Sequence, residues 1–198
     1  MRWLLGGCGT CAVLLGGLLA VMVIIAAAVV IVISQVYLAA IYTWFFSEDT
    51  VDVPTSIHGM PTTGFITATY HDPDYFDMFG EEHTGVDIAN GRGTPIYNTS
   101  DEAKVVGGGL DSSGYGLYIK LQDIESGYYI LYAHLDSISS EILSAYATGT
   151  IGSLRLQHGD RVGEMGSTGN STGNHLHYEI RDSSNTAVDP DGSAGCCN

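Results

Sequence analysis

Gly166-Ser-Thr-Gly-Asn-Ser-Thr-Gly-Asn-His-Leu-His-Tyr-Glu-Ile-Arg181 is the stretch from which the rest of the chain is read. A glycine-rich loop runs straight into a short extended segment that carries His175 and His177. Strand side chains alternate between faces, so residues two apart point the same way and both imidazoles aim at one spot. Working outward, the chain offers groups of matching chemistry in His83-Thr-Gly-Val-Asp87 and Tyr132-Ala-His134-Leu135. Val86 and Ile88 are β-branched and favour an extended backbone, where the even separation of His83 and Asp87 also gives one face. Gly85 lies between them and is expected to leave space for an ion. The five candidates are His83, Asp87, His134, His175 and His177. Imidazole nitrogen and carboxylate oxygen at about 2.0 to 2.2 Å suit zinc, and a catalytic zinc keeps three protein ligands and a water. Spacing alone does not say which three of the five are ligands. The remaining two are suited to proton transfer, because zinc lowers the pKa of its water to about 7 and a neighbouring imidazole can orient or deprotonate it.

The 198 residues suffice for one soluble domain and an accessory segment. The chain is sharply two-part. Trp3 to Ser47 holds no charged residue, whereas all 22 acidic residues and six of the seven basic ones lie from Glu48 onward. An acidic surface argues against nucleic acid as a partner, since phosphate binding needs clustered Lys and Arg. The acidity is read as solubility, with a cationic or zwitterionic substrate as the functional alternative. Cys8 and Cys11 have C-x-x-C spacing but no second pair and no nearby His, and are taken as small apolar residues of a membrane segment. Cys196 and Cys197 are adjacent, so they pair with each other only under strain or with another chain.

Residues 1–46 are expected to be a membrane-spanning or membrane-inserting segment. Cys11 to Ile33 is an unbroken apolar run, long enough at about 1.5 Å per residue to cross a hydrocarbon core of roughly 30 Å. Tyr37, Tyr42, Trp44, Phe45 and Phe46 follow and suit the membrane-water interface. Arg2 before the run and Glu48, Asp49 and Asp52 after it place the N-terminus in the cytoplasm and the acidic part outside. The alanines at 26 to 28 sit inside the run, which favours an uncleaved anchor over a signal peptide. The alternative is an insertion device of a larger homo- or hetero-oligomeric particle, such as a virion tail tip.

Residues 47–64, with Pro54, Pro61 and Gly64, read as a linker. From there to 192 the chain reads as one all-β domain. Short β candidates alternate with turns: Phe65 to Tyr70, Gly85 to Ala89, Pro95 to Asn98, Ala103 to Gly107, Gly116 to Leu121, Tyr128 to His134 and His175 to Ile180. Ser139 to Ala147 is the one helical candidate, with a serine start followed by Glu141. Residues 193–198 form a tail. His58, His71 and His158 are read as ordinary surface or core histidines.

Four blocks now stand in a fixed order: H-x-x-x-D, Tyr-Ala-His-Leu, Gly-Asp-x-Val-Gly and Gly-x-Thr-Gly-x-Ser-Thr-Gly-x-His-Leu-His-Tyr-Glu. This arrangement resembles the LytM/lysostaphin family of zinc endopeptidases, which cut peptide bonds in bacterial peptidoglycan. The resemblance covers about residues 63 to 192, including Ala187-Val-Asp-Pro190. It implies a compact, mostly antiparallel β domain with a loop-walled groove. It further implies that His83, Asp87 and His177 bind Zn2+, that His134 and His175 flank the water and stabilise the tetrahedral intermediate, and that stem or cross-bridge peptides are the substrate. Two features depart from the family pattern. Glu81-Glu82 precede His83 where an arginine is usual, and Ser137 to Gln157 is a longer connection, expected to be a groove wall. Tyr75 is a candidate for holding the oxyanion. The alternative function is a non-cleaving cell-wall-binding or structural module.

Overall fold

The computed structural model describes residues 53–190 continuously and, before them, Met22, Ile25, Ile31, Ile33, Gln35 and Tyr37. The chain divides into two units, Met1–Thr50 and Val51–Asn198. In the first, the six described residues are helical and exposed. The expected membrane segment falls largely outside the described residues, and so do Cys196 and Cys197. Among the described residues, no helix is long and apolar enough to cross a membrane.

The second unit is a mostly antiparallel β structure. Its strands are β1 (Phe65–Ala68), β2 (Val86–Ala89), β3 (Pro95–Tyr97), β4 (Glu102–Asp111), β5 (Gly116–Asp123), β6 (Tyr129–Ile138), β7 (Leu156–Gln157), β8 (Arg161–Met165), β9 (His175–Arg181) and β10 (Ala187–Val188). The main sheet runs β1-β2-β9-β6-β5-β4-β7, with β10 on β9 and a β3-β8 pair joined to β6. β6 occupies the centre, and Ile130, Leu131, Tyr132, Ala133, His134 and Leu135 are all buried on it. A central strand covered on both faces has no solvent side to alternate with, which is why it reads as a nearly continuous apolar run. Ile119 and Leu121 of β5 and Leu176, Tyr178 and Ile180 of β9 join them in the core. Each buried side chain of this size contributes about 1.5–3 kcal/mol.

The helical stretch expected from Ser139 is α2 (Ser140–Thr148), capped by the Ser139 side chain on the Ile142 N–H and ended by Gly149 at φ 71°. It packs on the core through Ile142 and Ala145. A second helix, α1 (Pro73–Phe79), was not expected. Its seven residues are too few for an apolar period, but Asp72 accepts from the Asp74 and Tyr75 N–H groups and Pro73 stands in the first turn, both start signals. The stretch 47–64, expected as a linker, is packed against the sheet from Val53 onward: Val53, Ser56, Ile57 and Thr62 are buried. The Ser56 hydroxyl donates to the buried Asp123 carboxylate at 2.9 Å.

Candidate metal centre

Sheet register brings four of the five expected residues together, and His83 joins them from the segment before β2. Asp87 on β2 lies directly opposite His177 on β9, Ala89 lies opposite His175, and Ala133 on β6 lies opposite His177 from the other side. His134 follows at the point where β6 stops pairing with β9 and, from Leu135, begins pairing with β8. It adopts φ 59°, a left-handed backbone that costs a non-glycine residue on the order of 1 kcal/mol. The irregularity shifts the register against β5 and turns the side chain toward the groove. The His134 N–H is still satisfied, donating to the Tyr115 carbonyl at 2.8 Å.

Gly85 has a different role from the one expected. A Cβ there would stand 2.4 Å from the Tyr178 carbonyl oxygen and 2.9 Å from the Glu179 Cγ. The missing side chain lets this segment lie against β9, so the space serves backbone packing and not the ion. Gly169, at φ 74°, similarly lets the 167–172 loop lie against the turn at 114–116: a Cβ would stand 2.3 Å from the Gly116 nitrogen.

Three donor atoms converge. Asp87 Oδ1 lies 3.1 Å from His83 Nε2 and 2.8 Å from His177 Nδ1, and the two ring nitrogens are 3.0 Å apart. All three residues are buried, and their donor atoms form a cluster of metal-binding type. The ring protons are committed elsewhere. His83 Nδ1 donates to the Thr69 carbonyl at 2.7 Å, and His177 Nε2 donates to Glu179 Oε1 at 3.0 Å. His83 therefore turns a lone pair toward the cluster, and His177 does so when its ring is neutral. Three electron-rich atoms face one another in a buried place, which is unfavourable unless positive charge sits among them. Burial alone would push His177 down, but its hydrogen bonds to the Asp87 and Glu179 carboxylates outweigh this and raise it to about 9, so that a proton on Nδ1 supplies the positive charge that a metal ion would otherwise bring. Burial likewise opposes ionisation of Asp87, yet the two imidazoles hold it well below the usual carboxylate range. The donor set fits a small divalent cation. Tetrahedral ligands about 2.0–2.1 Å from zinc stand roughly 3.3 Å apart, a few tenths of an ångström beyond the observed spacings.

His134 and His175 flank the cluster, their rings 4.6 Å apart. His134 Nδ1 donates to the Thr168 carbonyl at 2.8 Å, leaving Nε2 as an acceptor. Burial, partly offset by that hydrogen bond, pushes this imidazole down to about 4. His175 Nδ1 lies 2.9 Å from the Gly173 carbonyl, and its Nε2 lies 3.7 Å from Asp87 Oδ2.

Two clefts of about 260 and 310 Å³ share Tyr75, His134, Asn170 and His177 as walls. One is bounded by Met78 and Phe79 of α1, the other by Glu81, Asp111 and Arg181. No residue of Ser137 to Gln157 lines either, so the long connection is not a groove wall; α1 and the 170–172 loop take that place. Tyr75 stacks on the His83 ring at 4.3 Å. His58, His71 and His158 lie apart from the cluster, His58 stacked on His158 at 4.4 Å and His71 paired with Glu82 at 3.3 Å. Sequence reasoning missed Glu179. It is 0% exposed, held down to about 2 against the cost of burial by His177 and Arg181, and it stands two residues beyond His177 on the same face.

The sequence from 81 to 190 matches peptidase family M23. The DD-carboxypeptidase/endopeptidase Mpg of Neisseria meningitidis is 37% identical over 99 residues, half of this chain and 20% of its own length. The chain thus spans about a fifth of that curated relative. The catalytic domain of the prophage-encoded M23 protein EnpA from Enterococcus faecalis, solved as a mutant, aligns with a TM-score of 0.53 at 28% identity, over 67% of this chain and 95% of that one. A zinc-containing peptidase from Vibrio cholerae aligns with a TM-score of 0.55 at 26% identity, over 71% of this chain and 40% of that one. With the four sequence blocks, the antiparallel sheet and the His-Asp-His cluster pointing the same way, the chain belongs to peptidase family M23, the LytM/lysostaphin-type endopeptidases.

Proposed function

We propose that the chain is a zinc-dependent endopeptidase that hydrolyses peptide cross-links of bacterial peptidoglycan. In this reading His83, Asp87 and His177 hold the metal, and His134 and His175 handle protons beside it. The observation that carries it is the convergence of three metal-type donor atoms where two clefts meet, next to two further imidazoles. Membership of M23, the name of the Neisseria relative and the zinc of the Vibrio peptidase support the reaction class, the substrate and the metal.

Bound zinc supplies Lewis acidity at the scissile carbonyl and lowers the pKa of water to about 7. The chain's own residues supply the rest. His134, kept neutral by burial and with Nδ1 committed to Thr168, offers Nε2 to the proton of an attacking water. Once protonated, that nitrogen becomes a donor to the oxyanion or to the leaving amine. His175, oriented by the Gly173 carbonyl, brings a second ring nitrogen to the same place. The two clefts seat peptide on either side of the cluster, one against apolar Met78 and Phe79, the other beside carboxylates. The remaining parts of the reading are that residues 65–192 form the peptidase domain and that 11–46 anchor it to a bilayer with the catalytic part outside. The uncharged run from Trp3 to Ser47 supports this, as does the exposure of helical Met22, Ile25, Ile31 and Ile33.

The test is a digest of defined peptidoglycans by the purified protein, with mass spectrometry of released fragments. New amine ends that vanish with a chelator and return with zinc are expected, and they identify the bond. Tight wall binding with no soluble peptide released would overturn the enzyme and leave a binding module.

A further inference from the structure

The two histidines of the cluster are held in different ways. His83 is oriented by a backbone carbonyl, that of Thr69. His177 is oriented by a buried side chain, Glu179, which itself sits in a network drawn from its own strand and two other parts of the chain. Thr84 Oγ1 donates to Glu179 Oε1 at 2.6 Å and the Tyr115 hydroxyl donates to the same oxygen at 2.8 Å. Arg181 Nε donates to Oε2 at 2.5 Å, and Arg181 Nη2 reaches the Tyr115 hydroxyl at 3.1 Å. Thr84 comes from the loop before β2, Tyr115 from the turn before β5, and Arg181 from the end of β9.

We propose that Glu179, fixed by Thr84, Tyr115 and Arg181, is the positioning residue that keeps the His177 ring proton on Nε2 and so keeps Nδ1 free for the metal. The inference rests on the zinc reading above. If the proton moved to Nδ1, it would point at His83 Nε2 and Asp87 Oδ1, and a ligand would be lost. Glu179 is no proton acceptor in turnover. Its Oε1 already receives two hydroxyl donors besides His177, and Arg181 balances its charge. An outer carboxylate of this kind also raises the donor strength of the imidazole, and losing such a partner typically weakens metal affinity about 10–100-fold.

Glu179→Gln is the informative variant because it keeps the volume. A carboxylate accepts on both oxygens, whereas an amide has one acceptor and one donor end. The amide must therefore set its NH2 either against the Arg181 Nε–H or against the His177 Nε2–H. In the second orientation it drives the ring proton to Nδ1. The experiment titrates zinc into the metal-free full-length protein against a chelator of known affinity, and reads the His177 tautomer from imidazole nitrogen NMR shifts before zinc is added, at a pH high enough to leave the ring neutral. The expected result is Nε2–H in the wild type, with about tenfold weaker zinc binding and a mixed tautomer in Glu179→Gln, and a larger loss in Glu179→Ala. A folded Glu179→Gln with zinc affinity within twofold of wild type and an unchanged tautomer overturns the proposal. If Glu179→Gln does not fold, the double variant Thr84→Val, Tyr115→Phe replaces it. Several-fold weaker zinc binding is expected there, and unchanged affinity overturns the proposal equally. A wild type that takes up no zinc sinks the metal reading, while its tautomer still decides whether Glu179 positions His177.

Discussion

Two buried carboxylates, Asp87 and Asp123, divide the work of this domain. Asp123 is 1% exposed and surrounded by donors: the hydroxyls of Ser56, Ser100 and Ser126 and the Ser126 N–H, at 2.5–2.9 Å. Burial opposes its ionisation, but these donors hold its carboxyl below the usual range. Asp87, 9% exposed, instead has its carboxylate against imidazoles, those of His83 and His177 and, at 3.7 Å, that of His175. One carboxylate is satisfied by the fold and ties the segment from Val53 to the sheet. The other faces only nitrogen donors of metal-ligand type, and in the proposed function a cation completes it. Burial and a lowered pKa are common to both, so neither marks a functional site; the kind of neighbour does.

The largest expected effect lies in exchanging the two positions as targets. Asp87→Ala should abolish zinc uptake and lower peptidoglycan cleavage by about three orders of magnitude or more, since several kcal/mol of transition-state stabilisation go with the metal. Its stability without zinc, by urea unfolding, should stay within about 1 kcal/mol of wild type, because the two imidazoles, once neutral, keep their bonds to the Thr69 carbonyl and to Glu179. A stability loss as large as that of Asp123→Ala would break the comparison. Asp123→Ala should cost about 2–3 kcal/mol in the same unfolding measurement, as hydroxyls lose a charged acceptor, while binding zinc stoichiometrically. Loss of zinc in that variant would show that the two sites are coupled.

The smallest effect is a pH dependence that sharpens the picture of the cluster's surroundings. His134 titrates near 4 in the folded protein and near 6.5 when unfolded. As pH falls below 6.5 the unfolded chain takes up a proton that the folded one refuses. The contribution is therefore fully present above 6.5 and is lost between 6.5 and 4. Between pH 7 and 5.5 this amounts to about 1 kcal/mol, and His134→Asn should lack that part of the slope. An equal fall in both proteins would mean that the imidazole titrates normally.

Much of the site was legible before any coordinates. His175 and His177 announce a shared face by their spacing, and the His83–Asp87 and Tyr132–Leu135 blocks carry the right chemistry. Strands such as β5 and β9 show their apolar and turn residues plainly, and α2 shows its serine cap. Other features left weaker traces. α1 has a cap and a proline but only seven residues, and β7 and β10 have two each, too short for any periodicity. Gly85 was legible as a glycine that matters, though the atom it makes room for belongs to Tyr178.

What the amino-acid sequence by itself determined is the inventory and its local direction: five metal-type residues, which neighbours along a strand share a face, and a charge-free N-terminal run set against an acidic domain. These are properties of alternation and composition, and they need no partner strand. It took the tertiary structure to place Asp87 opposite His177, to turn His134 inward where β6 changes partners, and to bring Thr84 and Tyr115 onto Glu179. Each of these depends on pairing between segments up to 95 residues apart, and that pairing is set by how the whole core packs, which local sequence does not encode.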